Sequence, residues 1–154
     1  MSQKFKAVVI DNQNEKFTRE IKEIDTSHLK DGNVLVKIDY SSLNYKDALI
    51  LNNGGKIVRK FPFVPGIDFS GTVVESEDNK FKKDDKVILT GFRVGEAFFG
   101  GFAQYAKVDA NFLIVQFDGF RAPDVLLLRL RTMIAPSTRT MSMNWAFVSV
   151  CLMR

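Results

Sequence analysis

The side chains best suited to metal or thiol chemistry are nearly missing from this chain, which has one cysteine, Cys151, and one histidine, His28. No internal disulfide can form, and the usual Cys/His zinc sites cannot be assembled. A metal would have to rest on carboxylates, and no cluster of them stands out. What remains is the chemistry of amides, hydroxyls, carboxylates and glycine-shaped loops. Gly91-Phe92-Arg93-Val94-Gly95 and Gly100-Gly101 supply glycines for close backbone approach or a positive φ, which fits either a loop lining a site or plain turns. Asn44 and Asp47 stand three residues apart, a spacing at which Asn44 caps a helix and Asp47 sits in its first turn, where negative charge suits the helix dipole.

The elements that must position these residues are mostly strands. Residues 5–11 and 33–41 are rich in β-branched side chains, and Val34, Val36, Ile38 and Tyr40 alternate with Leu35, Lys37 and Asp39, so one face turns to a core. Runs at 69–75, 86–90, 102–108 and 112–115 repeat the signal between polar turns, as in a barrel or sandwich. One short helix follows Asn44 and ends at Asn52-Asn53-Gly54-Gly55. Pro62 and Pro65 force an extended path before Gly66 allows a turn into Asp68. The fold class is mainly β, with a helical turn near residue 45.

The 154 residues, 45% hydrophobic and 26% charged, have the composition of an ordinary globular protein. The N-terminus lacks a secretory signal pattern and no stretch has the length of a membrane span, so a cytoplasmic protein without membrane contact is expected. The net charge of +4 is uneven. Residues 1–120 hold 14 Lys, 3 Arg and 17 acids, whereas residues 121–154 hold 5 Arg, no Lys and only Asp124. Met133, Met141, Met143 and Met153 also fall in that last part. We therefore read residues 1–118 as one domain and 119–154 as an atypical tail, a frame-shifted or truncated remnant. A basic amphipathic element and a poorly patterned second subdomain are the alternatives.

Several segments together carry a resemblance: Ser42-Leu43-Asn44-Tyr45-Lys46-Asp47, Phe61-Pro62-Phe63-Val64-Pro65-Gly66-Ile67-Asp68-Phe69-Ser70-Gly71-Thr72-Val73, Asp85-Lys86-Val87, and Thr90-Gly91-Phe92-Arg93-Val94-Gly95-Glu96 with Gly100-Gly101. In order and spacing they resemble the N-terminal, GroES-like β-barrel domain of the medium-chain dehydrogenase/reductase superfamily, in its zinc-free quinone oxidoreductase and acryloyl-CoA reductase branch. Zinc-dependent relatives carry a cysteine at the place of Asn44 and a His-Glu pair at those of Ile67 and Asp68. Asparagine and isoleucine remove those ligands.

The resemblance implies hydride transfer from NADPH to a small-molecule substrate, either the activated double bond of an enoyl thioester or a quinone, with the developing oxyanion held by hydrogen bonds. It places Asn44 and Tyr45 against the cofactor, Tyr45 and Asp68 in catalytic roles, and Gly91, Arg93 and Gly95 in a substrate loop. Read as local structure instead, Asn44 only caps the helix, the Tyr45 ring packs in the core, and Asp68 is a turn carboxylate. Arg93 stands where relatives carry a small residue, and its guanidinium could bind an acidic group such as a CoA phosphate or simply be solvated. Lys83-Asp84 replaces a usual Pro-Gly, and Phe98 and Phe99 replace more polar or indole-bearing side chains.

Such enzymes continue into a Rossmann domain with a glycine-rich turn and pair as homodimers through that half; residues 119–154 contain no G-x-G-x-x-G. An incomplete, inactive enzyme is thus expected. The competing reading is a non-catalytic β-barrel binding module. Nucleic acid is disfavoured as its partner by the zero net charge of residues 1–120 and the absence of basic residues interleaved with exposed aromatics. A membrane-docking tail is disfavoured because Pro136 breaks the run and Arg129, Arg131 and Arg139 share no helical face.

Overall fold

A computed structural model describes residues 2–13, 16–53 and 56–116. The readings made for 119–154 lie outside the described residues. In chain order the elements are β1 (Lys4–Gln13), β2 (Lys16–Asp25), a 3-10 turn (Thr26–His28), β3 (Val34–Ser41), α1 (Tyr45–Leu51), β4 (Asp68–Ser76), β5 (Lys86–Thr90), β6 (Tyr105–Val108), a second 3-10 turn (Ala110–Phe112) and β7 (Leu113–Val115). The expected mainly β architecture is what the chain adopts.

β3 to β7 form one antiparallel sheet in the order β6-β3-β4-β5-β7, and β1 pairs with β2 as a hairpin. The hairpin is stitched to the rest by backbone bonds from Val8 N–H to the Phe102 carbonyl (2.8 Å) and between Ile10 and Phe63 in both directions (2.8 and 2.9 Å). Segment 102–104 thus runs beside β1, with Ala103 bridging Ala7, before β6 begins at Tyr105. This splits the single strand expected over 102–108.

The core gathers Val34 and Val36 of β3, Phe69 and Val73 of β4, Val87 and Leu89 of β5, and Ala106 and Val108 of β6. Period-two alternation accounts for this face. On β3 it holds for Val34 and Val36, but register shifts at Leu35/Val36 and Ile38/Tyr40 leave the Tyr40 side chain exposed. An irregularity of this kind re-aims every residue beyond it. β2 was not expected at all; it is charged on both faces, and its Ile21 is exposed.

Candidate functional site

The polypeptide leaves β3 at Ser41 and enters α1 through Asn44, whose extended backbone (φ −107°, ψ 164°) makes it the N-cap. Asp47, three residues on, reaches back so that the Asn44 N–H donates to its Oδ2 at 2.9 Å, the acidic half of a capping box. The other oxygen, Oδ1, accepts from the Ile67 N–H at 3.0 Å. One carboxylate therefore ties the start of the helix to the turn that feeds β4. Asp47 is fully buried. Burial pushes its carboxyl up to about 6, against the opposing pull of the Asn44 and Ile67 N–H donors, with the nearby Asp68 charge adding to the rise.

The side-chain amide of Asn44, itself buried, lies 3.1 Å from Ser42 Oγ, 3.3 Å from Asp47 Oδ2 and 3.1 Å from Asp68 Oδ2. Two hydrogens are shared among three acceptors, so this nitrogen has no capacity left for an outside group. Asp68 opens β4 and is 1% exposed; Ser70, two residues along the same strand face, is equally buried, and its hydroxyl has no hydrogen-bond partner. On either side of the buried Asn44 in sequence, Leu43 and Tyr45 are exposed, Tyr45 at 69%. The tyrosine ring is not part of the core, while Asn44 does cap the helix.

The glycine loop packs against the same corner. Gly66 (φ +109°) leaves no room for a side chain, since a Cβ would stand 2.5 Å from the Phe102 nitrogen. Gly95 (φ +77°) is held equally close, with the Gly66 carbonyl carbon 2.6 Å from where its Cβ would be. The Gly91 N–H donates to the Ile67 carbonyl at 3.2 Å, one residue from Asp68. Phe92 and Arg93 both lie in the left-handed region (φ +51° and +62°), and the Phe92 ring stacks on Phe112 at 4.9 Å. Arg93 is exposed, and its carbonyl accepts from the Glu96 and Ala97 N–H groups at 3.1 and 2.9 Å. Lys46 of α1 reaches across to Glu96, Nζ to Oε1 2.8 Å.

The fold thus brings Asn44 and Asp68 into direct contact, sets Gly91 and Gly95 against the turn beside them, and leaves Tyr45 and Arg93 as exposed side chains on neighbouring elements. The bridging role of Asp47 was missed in the sequence. Its N-cap-plus-three spacing signalled the helix end, but nothing local signalled Ile67. Among the described residues no group of three or more His, Cys, Asp or Glu side chains is placed to hold a metal ion.

Residues 30–118 match the family described as the alcohol dehydrogenase GroES-like domain. The chain is 48% identical over 112 residues to the acrylyl-CoA reductase AcuI of Ruegeria pomeroyi, covering 71% of this chain and 34% of that protein. It is 33% identical over 98 residues to a chloroplastic quinone-oxidoreductase homologue of Spinacia oleracea, covering 61% and 29%. Among solved structures, the yhdH oxidoreductase of Salmonella enterica in complex with NADP superposes with a TM-score of 0.77 at 40% identity, over 80% of this chain and 38% of that one. The chain spans about a third of the length of these relatives. With the match covering most of the described residues, the chain belongs to the alcohol dehydrogenase GroES-like domain family, and its relatives include an acrylyl-CoA reductase and a quinone-oxidoreductase homologue.

Proposed function

We propose that this domain is the substrate-side part of a metal-free, NADPH-dependent reductase that acts on the activated double bond of an acrylyl-CoA-like thioester. The observation that carries the reading is the buried Asn44–Asp47–Asp68 network that brackets the exposed Tyr45 in sequence. It fixes the backbone at residue 45 while leaving the ring free to meet a flat group, so the residues fit the nicotinamide end of such a cofactor and not its phosphates. NADPH, when bound, supplies the hydride that goes to the β-carbon. The chain's own part is to orient the thioester carbonyl and bring a proton to the enolate, a role for the Tyr45 hydroxyl. Asn44 acts here by holding Tyr45 in place, since its amide is committed inward. Asp68 acts through Asn44. A quinone is the second reading, favoured by the likeness to the Spinacia oleracea protein.

No G-x-G-x-x-G turn occurs in the 154 residues, so a polypeptide of these residues alone is expected to oxidise no NADPH. The decisive test is a chimera in which residues 1–118 replace the matching third of the Ruegeria pomeroyi reductase. Acryloyl-CoA-dependent NADPH oxidation, lowered about 10- to 100-fold by Tyr45→Phe, supports the reading. A folded chimera that turns over neither acryloyl-CoA nor a quinone sinks it.

A further inference from the structure

The loop bearing Arg93 needs outside anchors, because two consecutive non-glycine residues, Phe92 and Arg93, are held in the left-handed region that L side chains avoid. On one side it is held by the Phe92–Phe112 stack and on another by the glycine contact of Gly95 with Gly66. On the side facing α1 the side-chain link is the ion pair of Lys46 with Glu96. At 2.8 Å it is the shortest salt bridge among the described residues. The Glu96 side chain is only 19% exposed, more withdrawn from water than any other member of those pairs. A partly desolvated carboxylate keeps more of its attraction to a cation than a fully solvated one.

Lys46 lies between two residues of opposite fate, the exposed Tyr45 and the buried Asp47. Asp47 fixes the helix start to the β4 turn, and Lys46 extends that fixed point to the glycine loop. Glu96 belongs to the turn closed on the Arg93 carbonyl, so holding Glu96 holds Arg93. We propose that Lys46 and Glu96 are positioning residues that set the loop at 91–98 against α1, fixing the separation of Tyr45 from Arg93 and so selecting a thioester whose far end is anionic. This rests on the function proposed above.

The test uses the 154-residue chain and propionyl-CoA, the saturated and unreactive thioester, with amide resonances of Tyr45 and residues 91–98 as the readout. Lys46→Met and Glu96→Gln should each leave the melting temperature near that of the parent, raise amide exchange at Gly95, and weaken propionyl-CoA binding about two- to fivefold. The double exchange Lys46→Glu with Glu96→Lys should recover both exchange protection and affinity. Faster exchange with unchanged affinity would reduce the pair to a structural contact and overturn the proposal, as would a double exchange no better than either single variant. If the parent chain shows no response to propionyl-CoA, the thioester reading fails and this proposal of thioester selection fails with it. If the parent responds and the variants match it, only the positioning role fails.

Discussion

The side-chain nitrogen of Asn44 stands 3.1 Å from Asp68 Oδ2 across 24 residues of sequence, so the cap of a two-turn helix also anchors the first residue of a strand. Both side chains are buried, and the same nitrogen is shared with Asp47. A hydrogen bond to a buried carboxylate is worth more to stability than one between neutral groups.

Asn44→Ala should therefore destabilise the domain by about 2–3 kcal/mol in urea unfolding. Tyr45→Phe, altering an exposed ring next door, should stay within about 0.5 kcal/mol. Comparable losses from the two would mean that the Tyr45 hydroxyl is part of the buried network.

Asp47 gives the fold a pH dependence whose direction follows from its burial. Its carboxyl is raised from 3.8 to about 6, so the folded state binds the proton more tightly than the unfolded chain. The corresponding stability is fully present below the unfolded value and is lost as pH rises through about 6. A rise of roughly two units corresponds to about 3 kcal/mol. Asp47→Asn removes the titration and leaves the Asn44 and Ile67 N–H groups to share one carbonyl oxygen. Its cost should be larger near pH 4 than near pH 7.5 by up to about 3 kcal/mol, as read from urea midpoints at the two pH values. Asp25, whose pKa is lowered to about 2 chiefly by its hydrogen bond from Ser2, acts in the opposite sense at lower pH and cancels between parent and variant.

Much of this arrangement was legible along the chain, and the reasons for the rest are physical. Val34 and Val36 alternate because one face of β3 is buried, and the Asn44–Asp47 spacing is a local signature of a helix start. β2 left no such trace. It lies as a hairpin arm on β1, and Phe17, Arg19, Ile21 and Glu23 line one of its faces without an apolar stripe. Tyr40 continued the alternation in sequence but not in space, because the register shift before it exists only once β3 and β4 pair. The glycines at 91 and 95 announced a loop, whereas the contact that demands Gly95 is with Gly66, which sequence spacing cannot reveal.

That contact yields a sharp expectation. Gly95→Ala would place a methyl group 2.6 Å from the Gly66 carbonyl carbon and 2.7 Å from its oxygen, at a φ of +77°. Both obstacles are backbone, which has no rotamer by which to escape. The left-handed conformation alone costs roughly 1–2 kcal/mol for an L residue, and the overlap adds to it. A loss of at least about 2 kcal/mol is expected, with Phe92 and Phe98 losing their packing on Phe112 as the loop shifts. A variant as stable as the parent would show that the loop is not pinned to the β4 turn.

Arg19 tests whether the strand that the sequence concealed supports the site. Its guanidinium donates to the Leu51 carbonyl at 3.0 Å and to Asn52 Oδ1 at 2.8 Å, at the C-terminal end of α1. A cation there satisfies a carbonyl that the helix leaves without an internal donor and complements the negative end of the dipole. Because α1 has only seven residues, little else resists fraying at that end. Arg19→Met keeps the aliphatic stem and removes the donors, and it should cost about 1 kcal/mol. Amide exchange should quicken at Asn52 and Asn53, whose N–H groups bond back to Ala48, Leu49 and Ile50, while the N-terminal turn clamped by Asp47 stays protected. If protection falls along the whole helix instead, the Asp47 clamp does not act independently of the hairpin, and α1 is held in place by β2 as much as by β4.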